Sequence, residues 1–176
     1  MQQDRLQSVR DAIRDIPDFP KKGILFKDIT PVLADGILFR NAIDLFLGAL
    51  EGKAVDKIVC IDARGFLFGS AIAYRLGVGM VPVRKRGKLP YLTRSHAYAL
   101  EYGEAEVEMH VDAIRAGEQV VLIDDLLATG GTSAAAVGLI RAAGGVVAGA
   151  YFLIELGFLN GRSQLSGVPV VSFVQY

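Results

Sequence analysis

The sequence predicts an α/β fold in which helices flank a mostly parallel central sheet. Short runs of β-branched residues, typical of buried strands, alternate with segments of helical periodicity. The length of 176 residues is that of one average domain. Hydrophobic residues make up 52% of the chain and charged residues 22%, which excludes a wholly disordered protein. We therefore expect one domain over residues 1–176.

The predicted elements follow in order along the chain. Apolar residues at helical spacing predict a first helix that ends at Pro17 and a second over residues 39–50. Beyond these, strands are predicted at 57–61, 80–83, 119–123, 146–154 and 168–174, with helices at 65–76 and 131–143. Ligands of such sheets bind beyond the carboxyl ends of the strands. The residues that follow positions 61, 83 and 123 are therefore the first candidates for a site.

Residues 84–108 interrupt the alternation of strands and helices. This segment is charged, contains Gly87, Pro90 and Gly103, and has no sustained period. A stretch of this length without a clear element often marks a lid or a binding loop. We expect a flexible loop over the active site.

Charge and cysteine content exclude several classes of protein. The 19 basic and 19 acidic residues leave no net charge, so no global positive field would hold nucleic acid or an anionic membrane. The one cysteine, Cys60, lies in an apolar run, which predicts a buried and inert thiol. The N-terminal residues lack the apolar segment of a secretory signal, and no apolar run is long enough for a membrane span. We expect a cytoplasmic protein without nucleic-acid or membrane partners.

The most informative segment is VVLIDDLLATGGT at residues 120–132. An apolar strand places the adjacent carboxylates of Asp124 and Asp125 at its carboxyl end, and a Gly/Thr loop then opens a helix. Backbone N–H groups at a helix N-terminus bind a phosphate dianion, whereas the acids suit sugar hydroxyls or a developing positive charge. The residues expected to hold the phosphate are Ala128, Thr129, Gly130, Gly131 and Thr132.

With this segment the sequence resembles the type I phosphoribosyltransferases, whose motif is the same strand, acid pair and TGGT loop. Four further segments resemble the members of that family that use adenine. They are FPKKGILFKDITPVL at 19–33, ARGFLFG at 63–69, VRKRGKLP at 83–90 and LEYG at 100–103. The resemblance covers residues 17–176 and implies a small hood over the active site at about 17–33.

The activity that the resemblance implies is transfer of the 5-phosphoribosyl group from phosphoribosyl pyrophosphate to adenine. The products would be AMP and pyrophosphate, and the physiological role would be purine salvage. Magnesium is the expected cofactor, held mainly through oxygens of the substrate pyrophosphate and ribose, and a homodimer is expected. The two histidines, His96 and His110, lack the spacing of a metal site and are expected to be exposed or hydrogen-bonded.

The same resemblance implies roles for individual residues. Asp124 and Asp125 would hold the ribose hydroxyls. Asp62, Ala63 and Arg64 follow a strand, offer an anion site for pyrophosphate, and would include a cis peptide bond between Asp62 and Ala63. Arg64 would also lie against the base.

Two further sets complete the expected site. The basic residues expected to reach the pyrophosphate are Arg84, Lys85 and Lys88. The residues expected around adenine are Leu25, Phe26, Tyr102, Leu126 and Leu156. Glu101 is expected to handle the proton of the base, so the predicted catalytic residues are Glu101, Arg64, Asp124 and Asp125.

Two other functions stay open from sequence alone. One is a phosphoribosyltransferase for a 6-oxopurine base, against which the hood and LEYG segments argue. The other is a non-catalytic regulator that senses phosphoribosyl pyrophosphate and binds nucleic acid. This second function lacks support because the chain has no spare DNA-binding segment and no net charge.

Overall fold

A computed structural model describes residues 2–99 and 104–176 of the chain. It divides into two compact units, Met1–Glu51 and Gly52–Tyr176. The expectation of one domain over residues 1–176 stays a prediction.

The first unit contains three helices and a two-stranded hairpin. Its elements are α1 (Gln2–Ala12), β1 (Arg14–Pro17), β2 (Leu25–Asp28), α2 (Thr30–Ala34) and α3 (Gly36–Leu50). Helix α3 begins where the Asp35 carboxylate accepts the backbone N–H groups of Ile37 and Leu38, at 2.8 and 3.0 Å, a typical N-cap. Val9, Val32 and Phe46 are fully buried in this unit.

The first helix is shorter than the sequence predicted. It ends at Ala12 instead of continuing to Pro17, and Arg14–Pro17 pairs antiparallel with Leu25–Asp28. A proline disfavours helical geometry in the residue before it, and the segment finds its backbone partners in β2 instead. Ile16, which fitted the helical spacing, lies opposite Phe26 in this hairpin.

The second unit is built around one sheet of seven strands. Its elements are β3 (Lys57–Ile61), α4 (Arg64–Leu76), β4 (Gly79–Lys85), β5 (Thr93–Ala99), β6 (Glu104–His110), β7 (Gln119–Leu127), α5 (Gly131–Ala142), β8 (Val146–Glu155) and β9 (Val170–Gln175). Two 3₁₀ helices, Gly157–Leu159 and Gly161–Leu165, connect β8 to β9. The strand order is β5-β6-β4-β3-β7-β8-β9.

Five neighbouring strands of this sheet are parallel, and β5 and β6 join one edge antiparallel. The prediction of a mostly parallel sheet flanked by helices is confirmed. From β3 the chain crosses through α4 to β4 on one side, and from β7 it crosses through α5 to β8 on the other. The strand order therefore reverses between β3 and β7, and a crevice forms outside the carboxyl ends of strands at such a point.

Residues 84–108 form strands over much of their length, contrary to the irregular segment that the sequence predicted. Strands β5 and β6 pair along seven residues each, and β6 also pairs with β4 through Arg84 and Lys85. The charged side chains that obscured the pattern bond to one another, as when Arg86 Nη1, just after β4, donates to Glu106 Oε2 of β6 at 2.7 Å. Val107 and Met109 meanwhile point into the core, which is the period-two alternation of a strand.

The centre of the sheet is closely packed and apolar. Cys60 is fully buried, as predicted, and burial raises the pKa of its thiol. A methyl group at Gly69 of α4 would overlap its sulfur, so the helix backbone packs directly on the Cys60 side chain. Within the described part of the chain, no helix is long and apolar enough to cross a lipid bilayer.

Candidate active site

A cavity of about 420 Å³ opens at the carboxyl ends of β3, β4 and β7, at the reversal of strand order. Most of the predicted site residues line it. These are Asp62, Ala63, Arg64, Lys85, Asp124, Asp125, Leu126, Ala128, Thr129, Gly130, Gly131 and Thr132. Residues from segments that are far apart in the sequence therefore meet in one pocket.

The acid pair lies at the end of β7, against the start of α4. The Asp125 backbone N–H donates to Asp124 Oδ1 at 2.9 Å. A Cβ at Gly65 would lie only 2.8 Å from this same oxygen, so the first turn of α4 can approach the acid only because residue 65 is glycine. Burial raises the pKa of both carboxyls, and the charge of Asp125 raises that of Asp124 further.

Arg64 is the cationic partner of this pair. Its Nε lies 2.5 Å from Asp125 Oδ2, and the Asp125 side chain is 6% exposed while that of Arg64 is 43% exposed. The Arg64 charge opposes the rise that burial causes in the Asp125 pKa. Among the described residues, Asp125 Oδ2 has no hydrogen bond of regular geometry. Arg64 pairs with this buried oxygen, and the carboxylate keeps lone pairs that can accept a ligand hydroxyl.

The loop after β7 has the geometry of an anion site. Helix α5 begins at Gly131, and Gly130 before it has φ +87°, a conformation that glycine adopts without strain. The Ala134 N–H bonds to the Gly130 carbonyl at 2.8 Å, so the N–H groups of residues 131–133 have no carbonyl acceptor within the helix. No acid lies in the first turn of α5. This arrangement favours a phosphate.

The segment after β3 forms the opposite wall. The Asp62–Ala63 peptide bond is cis, as expected, and α4 begins at Arg64. Arg84 Nε donates to Asp62 Oδ2 at 2.8 Å, and Arg84 Nη1 donates to the Lys88 carbonyl at 3.1 Å. Arg84 does not line the cavity; its guanidinium joins the Asp62 loop to the basic segment.

Two further predicted site residues of the second unit, Lys88 and Leu156, do not line the cavity. Lys88 is outside the cavity lining, and its backbone N–H donates to the buried Glu108 at 2.9 Å. Leu156 follows β8, and its N–H donates to the Leu127 carbonyl at 2.9 Å without lining the cavity. Leu25 and Phe26 belong to β2 of the first unit. Glu101 and Tyr102 lie outside the described residues.

Five lining residues were not predicted: Ile61, Val83, Tyr98, Val107 and Ser133. Tyr98 matters most for chemistry, because the Thr132 hydroxyl donates to its phenolic oxygen at 3.1 Å. Its ring packs against the apolar core of the second unit. A strand assignment for residues 93–99 would have brought Tyr98 to the carboxyl edge of the sheet, but the charge of this segment concealed it.

The histidines differ from each other. His96 is exposed, as expected, and its Nδ1 lies 2.9 Å from the Ala97 carbonyl. The expectation for His110 was wrong, because its Nε2 is buried without a hydrogen-bond partner among the described residues and its ring meets that of Tyr91 edge-on. In residues 2–99 and 104–176, no three His, Cys, Asp or Glu side chains are grouped as metal ligands.

Comparison with known proteins agrees with this geometry. Residues 32–164 match the model of the phosphoribosyl transferase domain family. The adenine phosphoribosyltransferase of Thermoanaerobacter pseudethanolicus is 53% identical over 171 residues, which make up 97% of this chain and 99% of that protein.

Solved structures are similar over the same extent. The crystal structure of adenine phosphoribosyltransferase from Thermoanaerobacter pseudethanolicus superposes with a TM-score of 0.95 and covers 97% of this chain and 99% of its own. The enzyme from Saccharomyces cerevisiae is 41% identical, also with a TM-score of 0.95, over 98% of this chain and 99% of that one. That crystal structure is a complex with an imino-altritol bisphosphate and adenine.

Proposed function

The chain belongs to the phosphoribosyltransferase family, and within it to the adenine phosphoribosyltransferases, and from this premise we propose which of its residues perform the reaction. The enzyme transfers the 5-phosphoribosyl group of phosphoribosyl pyrophosphate to adenine and releases pyrophosphate, with AMP as product. One observation carries the assignment of residues. The acid pair, the TGGT loop and the Asp62–Arg64 segment line one cavity.

The 5-phosphate binds at the loop Ala128–Thr132. The N-terminus of α5 and the Thr129 hydroxyl offer donors there, and no acid in its first turn repels a dianion. With the phosphate fixed at this end, the ribose lies over the adjacent acids at the end of β7.

Asp124 and Asp125 accept hydrogen bonds from the ribose hydroxyls. The buried Asp125 Oδ2, which is paired with Arg64 Nε, gains a hydroxyl donor in this way. As the bond to pyrophosphate breaks, the anomeric carbon acquires positive charge, and the fixed carboxylates stabilise it. This role requires ionised acids, although burial raises the pKa of both in the free protein.

Pyrophosphate leaves along the wall formed by Asp62, Ala63 and Arg64, with Lys85 as a second cation. Arg64 then leaves the Asp125 carboxylate and binds either the departing pyrophosphate or the edge of the adenine ring. Arg84 does not line the cavity. It donates a hydrogen bond to Asp62 and so stabilises the shape of the loop after β3.

The cavity also fits a magnesium ion. Mg²⁺ is bound through one or two carboxylates together with substrate phosphates, without a cage of protein ligands. Asp124 and Asp125 would provide these carboxylates, and the substrate's own oxygens would complete the set. When bound, the ion neutralises charge on the leaving pyrophosphate.

Adenine occupies the apolar side of the site, beside Leu126. By resemblance, Tyr102 and Leu156 complete this pocket, and Glu101 handles the proton of the attacking base. Purine salvage in the cytoplasm, by a homodimer, is the physiological setting that we propose. Light scattering on the purified protein checks the dimer directly, because a monomeric mass would contradict it.

The double variant Asp124→Asn with Asp125→Asn tests the assignment of the cavity. Its loss of both negative charges removes the stabilisation of the cationic carbon but preserves side-chain size. We expect AMP formation to fall by about 100-fold or more, in line with the loss of a preorganised electrostatic group. AMP formation at the wild-type rate would remove the acid pair from the mechanism.

A further inference from the structure

The 3₁₀ helix Gly161–Leu165 packs directly against the back of the phosphate loop. A methyl group at Gly161 would overlap the carbonyl oxygen of Ala128, the first residue of the loop. A methyl group at Gly130 would in turn overlap the carbonyl oxygen of Gly161. Backbone therefore meets backbone in both directions, and the position of Gly161 determines where the loop can lie.

The residue after Gly161 ties this helix to the edge of the sheet. Arg162 Nε and Nη2 donate to the two carboxylate oxygens of Glu155, each at 2.7 Å. Nη1 donates to the Val170 carbonyl at 2.9 Å, and Nη2 donates to Ser172 Oγ at 2.8 Å. One guanidinium thus joins the end of β8 to β9 and holds the helix between them.

The Glu155 carboxylate, which pairs with Arg162, is also held in place by its surroundings. Glu155 is the last residue of β8, its side chain is 7% exposed, and it also accepts the Ser172 hydroxyl. Its hydrogen bonds with Arg162 are the main reason that the pKa of Glu155 lies below its usual value. A two-pronged pair between a planar guanidinium and a carboxylate fixes orientation as well as distance.

We propose that Arg162 is a positioning residue for phosphoribosyl pyrophosphate: by clamping Gly161 to β8 and β9, it fixes the Ala128–Thr132 loop in the shape that binds the 5-phosphate. The proposal rests on the assignment of this loop to the 5-phosphate. Arg162 does not line the cavity. Its loss should therefore weaken binding of the sugar phosphate and leave binding of the base unchanged.

The physical reason is that an anion site tolerates only small displacements of its hydrogen-bond donors. Donors must be held within roughly 0.5 Å of their productive positions, and a shift of about 1 Å that originates far from the chemistry can cost on the order of 100-fold in rate. A clash at Gly161 moves the Ala128 carbonyl, and hence the N–H groups that follow it.

Gly161→Ala and its control Gly157→Ala provide the first test. Neither glycine has a positive φ, so alanine is conformationally allowed at both. A Cβ at Gly157 would lie 3.4 Å from its nearest neighbour, the Tyr176 carbonyl, which is an ordinary contact. We expect Gly161→Ala to raise KM for phosphoribosyl pyrophosphate and Kd for ribose 5-phosphate by about tenfold or more, with KM for adenine unchanged. Gly157→Ala should leave all three constants unchanged.

Arg162→Lys and the neutral pair Arg162→Gln with Glu155→Gln test the clamp itself. Lysine keeps the charge but not the two-pronged geometry, so its effect on Kd for ribose 5-phosphate should be smaller than that of the neutral pair. The neutral pair avoids leaving the buried Glu155 as an unpaired charge, which by itself endangers folding. Melting temperatures of all variants are measured beside the binding constants.

The outcomes separate this proposal from the one on which it rests. If the wild-type protein binds no ribose 5-phosphate, the loop assignment fails and the positioning role fails with it. If the wild type binds ribose 5-phosphate and Gly161→Ala binds it equally well, only the positioning role is overturned. Equal losses for ribose 5-phosphate and adenine would also overturn it, since they indicate a general structural role.

Discussion

Arg64 and Asp125 form an ion pair inside the cavity, with Nε and Oδ2 2.5 Å apart. The acid is almost fully buried and the guanidinium is partly exposed. On the proposed assignment, a cation of the pyrophosphate wall therefore pairs with an anion of the ribose site. The proposal then expects substrate binding to separate the two groups: Arg64 faces pyrophosphate, and Asp125 accepts a ribose hydroxyl.

Removing Arg64 should change both the rate and its pH dependence. In Arg64→Gln the buried Asp125 loses the charge that opposes the rise in its pKa. We expect kcat/KM to fall by about 100-fold, as for the loss of a charged group at the reacting centre, and the acidic limb of the pH–rate profile to move to higher pH. Arg75→Gln, in the exposed last turn of the same helix, is the control. An acidic limb that stays in place would contradict the coupling of Arg64 to Asp125.

Replacing Asp124 should stabilise the protein while it lowers activity. Burial and the Asp125 charge raise the Asp124 pKa above its unfolded value, so this acid favours the folded state only at low pH, and that contribution is lost as pH rises through the folded-state pKa. Asp124→Asn removes the charge and keeps the oxygen that accepts the Asp125 N–H.

Calorimetry across pH measures this effect. At neutral pH we expect Asp124→Asn to melt above the wild type, by roughly 2–4 °C for each kcal/mol gained in a protein of this size. The difference should shrink as the pH falls, because the wild-type acid then becomes neutral. Asp112→Asn, at an exposed position, should change Tm little. A lower Tm for Asp124→Asn at neutral pH would be the opposite of this result.

Tyr98→Phe should weaken binding of the sugar phosphate selectively. The substitution removes the hydroxyl that accepts from Thr132 and keeps the ring that packs on the core. We expect KM for phosphoribosyl pyrophosphate to rise by about twofold to tenfold, the range for one hydrogen bond between neutral groups, with little change in Tm. Tyr91→Phe, on an exposed ring, serves as control. An unchanged KM would remove the Tyr98 hydroxyl from the phosphate site.

Glu101→Ala should reduce turnover without reducing sugar-phosphate binding. A general base contributes typically about 10²–10⁴-fold to a rate, so we expect kcat to fall at least tenfold, while Kd for phosphoribosyl pyrophosphate stays near the wild-type value. Single-turnover kinetics and equilibrium binding, on the same preparation, separate the two effects. A variant that turns over at the wild-type rate would show that another group handles the proton.

The sequence was most informative where the chemistry is local. The strand end, Asp124, Asp125 and the TGGT loop lie within one continuous segment, so their geometry follows from strand, turn and helix preferences that act over a few residues. The alternation of strands and helices likewise predicted the parallel sheet. The chain order of the crossovers then placed the residues after β3 beside those after β7.

The sequence was least informative where side chains chose distant partners. Arg84 has the character of a pyrophosphate ligand, yet its guanidinium binds Asp62, 22 residues earlier in the chain. Ser95 of β5 bonds to Glu106 of β6, so polar side chains of this charged segment find partners across the two strands. Gly161 and Ala128 belong to separate loops whose backbones are in contact. Hydrophobic periodicity in the sequence cannot predict such a contact.

Pyrophosphate release from the purified protein, with phosphoribosyl pyrophosphate, Mg²⁺ and one base at a time, tests the central claim most directly. Adenine, hypoxanthine, guanine, xanthine and orotate form the panel. The account predicts release with adenine alone. Release with a 6-oxopurine instead of adenine would contradict the adenine assignment. No release with any base, from protein that still binds phosphoribosyl pyrophosphate, would favour the regulator and contradict catalysis.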